Sequence, residues 1–349
     1  MHMADALLSP AVGGAMWVVA GGGITYCAGK IRDDMADSRI PLMGVLAAFV
    51  FAAQMINFTI PGTGSSGHLG GGLLLAIILG PHAGFLAMAS VLTVQALFFA
   101  DGGLLALGCN IFNLGFIPCF VVYPYIYQLI IGQTPSRKKM TTAIIVSAVI
   151  ALQIGALGVV TETVFSGVSS LPFNSFVLLM QPIHLAIGLV EGMVTAGVVS
   201  FIVKADPSII LAADRRDDQQ QSETSIGKKI LLPLLAVAVI TAGIFSWFAS
   251  SNPDGLEWSI YKVTGSEEVE APEQGIHHSL EKLQEKTALL PDYGFKNDEA
   301  AVVPGPENGS GSTVAIGTSV AGLLGGALVL LLMVLLGFIL KIKRHSRTE

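Results

Sequence analysis

Long apolar runs constrain the fold of this chain more than any other feature. Seven of them, each about 20 residues or more, lie at 11–29, 40–58, 104–131, 141–161, 176–203, 230–249 and 314–340. A helix needs about 20 apolar residues to cross the roughly 30 Å hydrocarbon core of a bilayer. Charged residues make up only 13% of the chain, against about 25% in soluble domains. The sequence therefore predicts an all-α, polytopic membrane bundle.

The apolar stretch 69–100 is too long for one ordinary span and is interrupted at Gly80-Pro81. We interpret it as a short helix, a turn at the proline and a full helix from about 84 to 100. With two crossings here, all basic residues outside the segment 250–313 fall on one face. The positive-inside rule makes that face cytoplasmic. This predicts about nine crossings, an outer N-terminus and a cytoplasmic C-terminus in the cell membrane of a prokaryote.

The polar composition of residues 205–228 divides the chain into two modules. Residues 1–204 form a continuous bundle of about seven helices, and 205–228 is a polar stretch typical of a cytoplasmic linker. Residues 229–349 contain two spans that flank an outer segment at 250–313.

The N-terminus is itself a candidate metal chelate. We expect the initiator Met1 to be retained because His2 is bulky, and no basic residue precedes the first apolar run as in a signal peptide. The Met1 amine, the His2 amide nitrogen and His2 Nδ1 can then place three nitrogens in one plane, which suits Ni(II) or Cu(II). His68, in a Gly/Ser-rich turn with Ser65 and Ser66, is the candidate for the fourth nitrogen.

Polar residues near an outer-face turn could support this site. Gln95, Asp101, Asn110 and Asn113 lie in or beside apolar runs, where unpaired polar groups are costly. We expect them to hydrogen-bond one another or the loops above them. Their role is then structural, or it is to stiffen the pocket that holds His68, since neighbouring groups orient metal ligands.

Other ionisable residues have two interpretations each. His184 and Glu191 are seven residues apart and share a helix face, which favours a hydrogen-bonded structural pair over a proton relay. His277 and His278 lie in the outer segment and are expected to be exposed, with delivery of metal as the alternative.

No nucleotide-binding motif and no protease-like spacing occurs in the sequence. Energy for uphill transport would therefore have to come from another protein. Membrane lipids are the expected surroundings, and no nucleic-acid partner is expected.

Three motifs resemble the CbiM/NikM family: MHMADALLSP at 1–10, GSSGHLGGG at 64–72 and QALFFADGGLLALGCN at 95–110. The resemblance covers about residues 1–204, and the PDGLE motif at 253–257 resembles the small CbiN/NikN subunit, here fused. The family resemblance implies a substrate-specificity subunit of an energy-coupling factor importer for cobalt or nickel. It also implies two kinds of partner, a transmembrane coupling subunit and a pair of cytoplasmic ATPases.

Carried over by position, the family's metal ligands are Met1, His2 and His68. The metal is then the transported substrate, and no cofactor is implied. A square-planar four-nitrogen site favours nickel, with a cobalt importer that supplies cobalamin synthesis as the alternative. An intramembrane hydrolase that uses His184 and Glu191, and a metal sensor without transport, are the other functions that the sequence leaves open.

Overall fold

In a computed structural model of the chain, the structure describes residues 2–34, 40–132, 136–206, 228–267, 269, 275–295 and 311–345. Met1 and nearly all of the predicted linker at 205–228 lie outside these described residues. The N-terminal module contains seven helices: α1 (Pro10–Asp34), α2 (Ile40–Gln54), α3 (Gly72–Leu79), α4 (Pro81–Phe99), α5 (Leu107–Ile131), α6 (Arg137–Ser166) and α7 (Phe173–Ala205). The C-terminal module contains α8 (Lys228–Gly243), α9 (Gly255–Thr264), α10 (Ile276–Thr287) and α11 (Gly311–His345).

Shorter elements connect these helices. The antiparallel strands β1 (Phe58–Ile60) and β2 (Ser65–Gly67) form a hairpin before α3, with Phe58 opposite Gly67 and Ile60 opposite Ser65. Three 3₁₀ turns lie at Asp5–Leu7, Phe245–Phe248 and Pro291–Tyr293. Within α5, the stretch Phe112–Tyr127 has π-helical hydrogen bonding.

The chain is a multi-pass membrane protein, as predicted. Six helices in the described part of the chain are long and apolar enough to cross a bilayer, and α2 and α8 are shorter apolar helices. Large apolar side chains such as Val18, Phe165 and Leu178 are exposed on α1, α6 and α7. Such a surface is suited to lipid rather than to water. The predicted all-α bundle is confirmed.

The stretch 69–100 contains two helices, but the first is very short. Gly80 breaks them with a φ of 84°, and Pro81 begins α4 a few residues earlier than predicted. The eight residues of α3 rise only about 12 Å, too little to cross the bilayer core alone. The helix begins only at Gly72 because the residue before it, Gly71, has a φ of 79°, which is not helical. An irregular, buried stretch that includes His68 thus leads into α3.

The two modules pack directly on each other through α2. Both α8 and α11 contact α2. The approach of α11 is close: a Cβ at Gly325 would meet the Phe51 ring at 2.0 Å, so only glycine fits there. Within the described part of the segment between α8 and α11, α9 contacts α7 and α10 contacts α4.

Candidate metal centre

The N-terminal segment lies inside the bundle and is held by its backbone. The Met3 amide donates to Asn110 Oδ1 at 2.8 Å, and Asn110 Nδ2 donates to the Met3 carbonyl at 3.3 Å. The same carbonyl accepts from the Gly103 amide at 2.9 Å. Both Met3 and Asn110 are buried. Asn110 therefore holds the backbone of the residue next to His2.

Asp5 closes this segment against the start of α5. Its Oδ1 accepts from the Ala106 amide at 2.9 Å. Burial raises the pKa of Asp5, and the backbone hydrogen bonds from Ala106 and Leu105 partly oppose that rise. The segment is thus anchored on both sides of its 3₁₀ turn.

His2 and His68 are brought together, although 66 positions separate them in the sequence. Their rings are stacked, with centroids 4.9 Å apart and planes 8° from parallel. His2 Nδ1 lies 3.1 Å from Asp101 Oδ1. His2 Nε2 is buried and has no hydrogen-bond partner among the residues that the structure describes.

The tautomer of His68 follows from its hydrogen bond. Nδ1 lies 3.0 Å from the Leu69 carbonyl oxygen. Because a carbonyl can only accept, Nδ1 carries the proton and Nε2 keeps its lone pair. Burial lowers the pKa of His68 to about 3. Its imidazole is therefore neutral at physiological pH, which is the form that binds metals.

Asp101 provides the negative charge beside His2. Burial alone would raise the pKa of Asp101, but the charge and hydrogen bond of His2 and the hydrogen bond from Tyr293 hold it well below its usual range. The Tyr293 hydroxyl donates to Asp101 Oδ2, and its ring stacks on Phe99 at 5.3 Å. Burial, followed by the charge of Asp101, raises the pKa of Tyr293. Sequence reasoning missed Tyr293, since no local pattern links it to a residue 192 positions away.

The hairpin before His68 is fixed by the PDGLE motif. The Ser66 amide donates to the Pro253 carbonyl at 2.8 Å, and Ser66 Oγ donates to the Asn252 carbonyl at 2.8 Å. Ser65 is buried, and its Oγ donates to the Ser66 carbonyl at 3.0 Å. Both serines support the position of the loop in this structure.

The motif itself is a helix start. Asp254 Oδ1 accepts from the Leu256 and Glu257 amides at 2.7 and 2.9 Å, and Glu257 Oε2 accepts from the Asp254 amide at 2.8 Å. This capping box begins α9. Burial and the charge of Asp254 raise the pKa of Glu257 to about 7. A Cβ at Gly255 would lie 2.6 Å from Ile183 Cγ2, which explains the glycine.

The outer segment also holds the turn that carries Asp101. Gln284 Nε2 donates to the carbonyls of Ala96 and Gly102 at 2.9 and 2.7 Å. The amides of Leu289 and Leu290 donate to the Phe98 carbonyl at 2.8 and 3.2 Å. Contacts from α10 and the following turn therefore cover the turn between α4 and α5.

Gln95 and Asn113 lie in two different networks. Gln95 Nε2 donates to Gln54 Oε1 at 2.9 Å, and Gln54 Nε2 donates to the Gly70 carbonyl at 2.8 Å, which links Gln95 to the His68 loop. Asn113 instead donates to Glu162 Oε2 at 2.7 Å. The prediction that Asn113 joins the others around the turn is wrong, because its helix position directs it toward α6.

His184 and Glu191 each bond to the backbone in the described residues, and the predicted hydrogen bond between them is wrong. His184 Nδ1 lies 2.8 Å from the Met180 carbonyl of its own helix. Glu191 accepts from the Gly70 and Gly71 amides at 2.7 and 3.1 Å. The carboxylate thus satisfies orphan amides at the start of α3, where no helical partner is available.

The two outer histidines differ. The His278 side chain is 44% exposed, and its Nδ1 lies 3.7 Å from Glu281 Oε2. His277 is buried, and its Nε2 lies 2.8 Å from the Leu8 carbonyl. The expectation that both are exposed is wrong for His277, because α10 turns it onto the N-terminal segment.

No group of three or more His, Cys, Asp or Glu side chains within the described ranges is arranged to hold a metal ion. The sequence predicts that backbone nitrogens at Met1 and His2 are metal ligands. Met1, which carries the amine, lies outside the described residues.

Comparison with known proteins finds two family matches. Residues 2–209 match the CbiM family, described as a cobalt uptake substrate-specific transmembrane region, and residues 228–342 match the PDGLE domain. A protein of Archaeoglobus fulgidus named as a fused nickel transport protein, NikMN, is 32% identical over 100% of both chains. The fused nickel transport protein NikMN of Rhodobacter capsulatus is 29% identical over 84% of this chain and 88% of its own.

The chain also resembles the crystal structure of a truncated transition metal transporter. The two sequences are 29% identical, and the TM-score is 0.53 over 58% of this chain and 99% of that chain. The CbiM match and the relatives, which are named as transport proteins, make the chain a transporter component and not an enzyme. The chain belongs to the CbiM family of substrate-specific transmembrane proteins and carries a fused PDGLE domain.

Proposed function

We propose that this chain is the metal-capturing membrane component of an energy-coupling factor importer for Ni(II). The ion is bound by the Met1 amine, the His2 amide nitrogen, His2 Nδ1 and His68 Nε2, with Met1 as the free N-terminus. The observation that carries the proposal is the stacking of the His2 and His68 rings, whose centroids are 4.9 Å apart, with His68 Nδ1 bonded to the Leu69 carbonyl oxygen. Metal binding through Nδ1 exchanges the contact of His2 with Asp101 for a bond to the ion.

Four nitrogens in a plane favour Ni(II) over Co(II) on geometry. The names of the relatives from Archaeoglobus fulgidus and Rhodobacter capsulatus, both fused like this chain, support nickel as the substrate. The family description supports cobalt as the alternative substrate. In either case the metal is cargo, and we assign no cofactor.

Transport requires partners in this proposal. We assign a transmembrane coupling subunit and two cytoplasmic ATPases, because the chain has no nucleotide-binding motif. The N-terminus and the segment 250–313 face outward, with the module boundaries at 1–204 and 229–349. The purified chain should therefore bind metal and hydrolyse no ATP, and intrinsic ATPase activity in a homogeneous preparation would contradict this assignment.

The test is a titration of the purified full chain with Ni(II), Co(II), Cu(II) and Zn(II). His2→Ala removes the His2 imidazole and, because the second residue becomes small, also favours removal of Met1, so the proposed chelate is lost. His278→Asn removes a partly exposed imidazole as the control. We expect His2→Ala to lose most of its Ni(II) affinity and His278→Asn to bind like the natural chain. Unchanged Ni(II) affinity in His2→Ala would refute the proposed site.

A further inference from the structure

A small cavity joins the His68 loop to helix α7 and the PDGLE motif. It is lined by residues from five separate parts of the chain: the His68 loop, apolar residues of α5 and α6, and a further set that includes His184, Asp254 and Gly255. Two imidazoles and one carboxylate therefore border the same space. Only one of these imidazoles belongs to the proposed chelate.

In the described part of the chain, one ring nitrogen of His184 has no hydrogen-bond partner. Its side chain is 1% exposed, and its Nδ1 lies 2.8 Å from the Met180 carbonyl. Because that carbonyl can only accept, Nδ1 carries the proton and Nε2 keeps its lone pair. In the described part of the chain, Nε2 has no hydrogen-bond partner. A buried polar atom left without a partner is unfavourable and needs an explanation.

The PDGLE motif leaves room beside this imidazole. A Cβ at Gly255 would lie 3.2 Å from His184 Cε1, the ring atom next to Nε2. The absence of a side chain at Gly255 keeps one wall of the cavity open. Asp254, an acidic residue, borders the same cavity.

We propose that His184 Nε2 is a second metal ligand, which takes the transported cation from His68 within this cavity. Neutral imidazole nitrogens bind Ni(II), Co(II), Cu(II) and Zn(II). This inference rests on the proposed function, because His68 must first hold the ion. His184 acts as a temporary ligand on the path away from the chelate. The competing explanation is a buried water molecule on Nε2.

The first experiment measures Ni(II) uptake in cells that also express the coupling subunits. His184→Asn keeps an amide that can donate to the Met180 carbonyl but removes Nε2, and His278→Asn is the matched control. We expect His184→Asn to slow uptake about tenfold or more, with unchanged Ni(II) affinity in the purified chain because the chelate is intact. Uptake by His184→Asn at the rate of His278→Asn would overturn the proposal.

The second experiment separates ligation from packing. In the full chain with His2→Ala and an N-terminal extension, the chelate is blocked, and Cu(II) serves as the probe in pulsed electron paramagnetic resonance. We expect a weak Cu(II) site with nitrogen couplings from two imidazoles, one of which disappears when His184→Asn is added. A spectrum that His184→Asn leaves unchanged would overturn the proposal even if uptake falls. Failure of the proposed function is seen separately, as unchanged Ni(II) affinity in His2→Ala alone.

Discussion

The N-terminal segment and the outer segment meet around His2, His68 and Asp101, but different contacts hold each of them. In the N-terminal segment Met3, Ala6, Leu7 and Leu8 are buried, and Asn110 and Gly103 bond the backbone of Met3. The outer segment lies over the pocket: α10 is amphipathic, and among its residues only His277 is buried. It contacts this region through long-range hydrogen bonds, among them those from Gln284 and Tyr293 and the one that the Pro253 carbonyl accepts from Ser66.

We infer from this difference that the N-terminal segment determines metal binding and that the outer segment affects how the metal reaches or leaves its site. The groups that we assign as ligands are on or beside elements of the N-terminal module. The outer segment contributes hydrogen bonds to the loops that carry those groups, at Ser66 and at Asp101. We therefore expect changes in the N-terminal segment to affect affinity most and changes in the outer segment to affect uptake most.

The largest effect should come from extending the chain before Met1. An added residue converts the amine into an amide and removes a chelating nitrogen. We expect a loss of more than about 100-fold in Ni(II) affinity, since changes outside the ligand shell alone cost 10–100-fold. Calorimetric titration of chains with and without a cleavable extension measures this. If the extended chain binds Ni(II) as tightly as the cleaved one, the N-terminal segment does not determine affinity in the way proposed.

Deletion of residues 225–349 should reduce uptake while leaving Ni(II) binding in place. The remaining bundle keeps the clamp on Met3 and the His2–His68 pair, so Ni(II) binding by the purified chain should persist. Uptake with the coupling subunits should fall more than about tenfold, a size typical of losing groups that orient a metal site. The comparison requires equal expression in the membrane. Uptake at the full-length rate would make the outer segment an inert spacer.

Tyr293→Phe should have a smaller effect. The substitution keeps the stacking on Phe99 but removes the hydrogen bond to Asp101. The Asp101 carboxylate then has one donor fewer and holds His2 more strongly in the metal-free state. We expect Ni(II) affinity to fall about fivefold, the equivalent of one hydrogen bond of about 1 kcal/mol. Tighter binding by this variant would mean that Asp101 does not compete with the metal for His2.

How much of this was visible in the sequence depends on distance along the chain. The helices were predictable because an apolar run of about 20 residues is a local signal. His2 and His68 were predictable because each lies in a motif of its own. The burial of His277 and the bond from Tyr293 to Asp101 were not, because both depend on contacts between modules.

The short length of α3 has a physical reason that apolar composition hides. Gly70 and Gly71 are counted with an apolar run, but their amides need acceptors other than a helix, and Glu191 supplies them from α7. The same carboxylate, predicted to pair with His184, is thereby used to support the loop of His68. A pattern on one helix does not reveal which backbone lies beside it.

The most direct test of the proposed chelate is the number of protons released when Ni(II) binds at pH 7. Ligands must be deprotonated before they bind a metal. His68 contributes none, because burial lowers its pKa to about 3. The amide nitrogen releases one proton, and an N-terminal amine with a pKa of about 8 releases nearly one more. Binding should therefore strengthen as the pH rises and weaken as it falls toward 6.

Calorimetry in buffers of different ionisation enthalpy counts these protons on the full chain. We expect about two or more protons per Ni(II), and fewer in a chain with an extended N-terminus. Release of one proton or fewer per Ni(II) would contradict ligation by the His2 amide and the Met1 amine together.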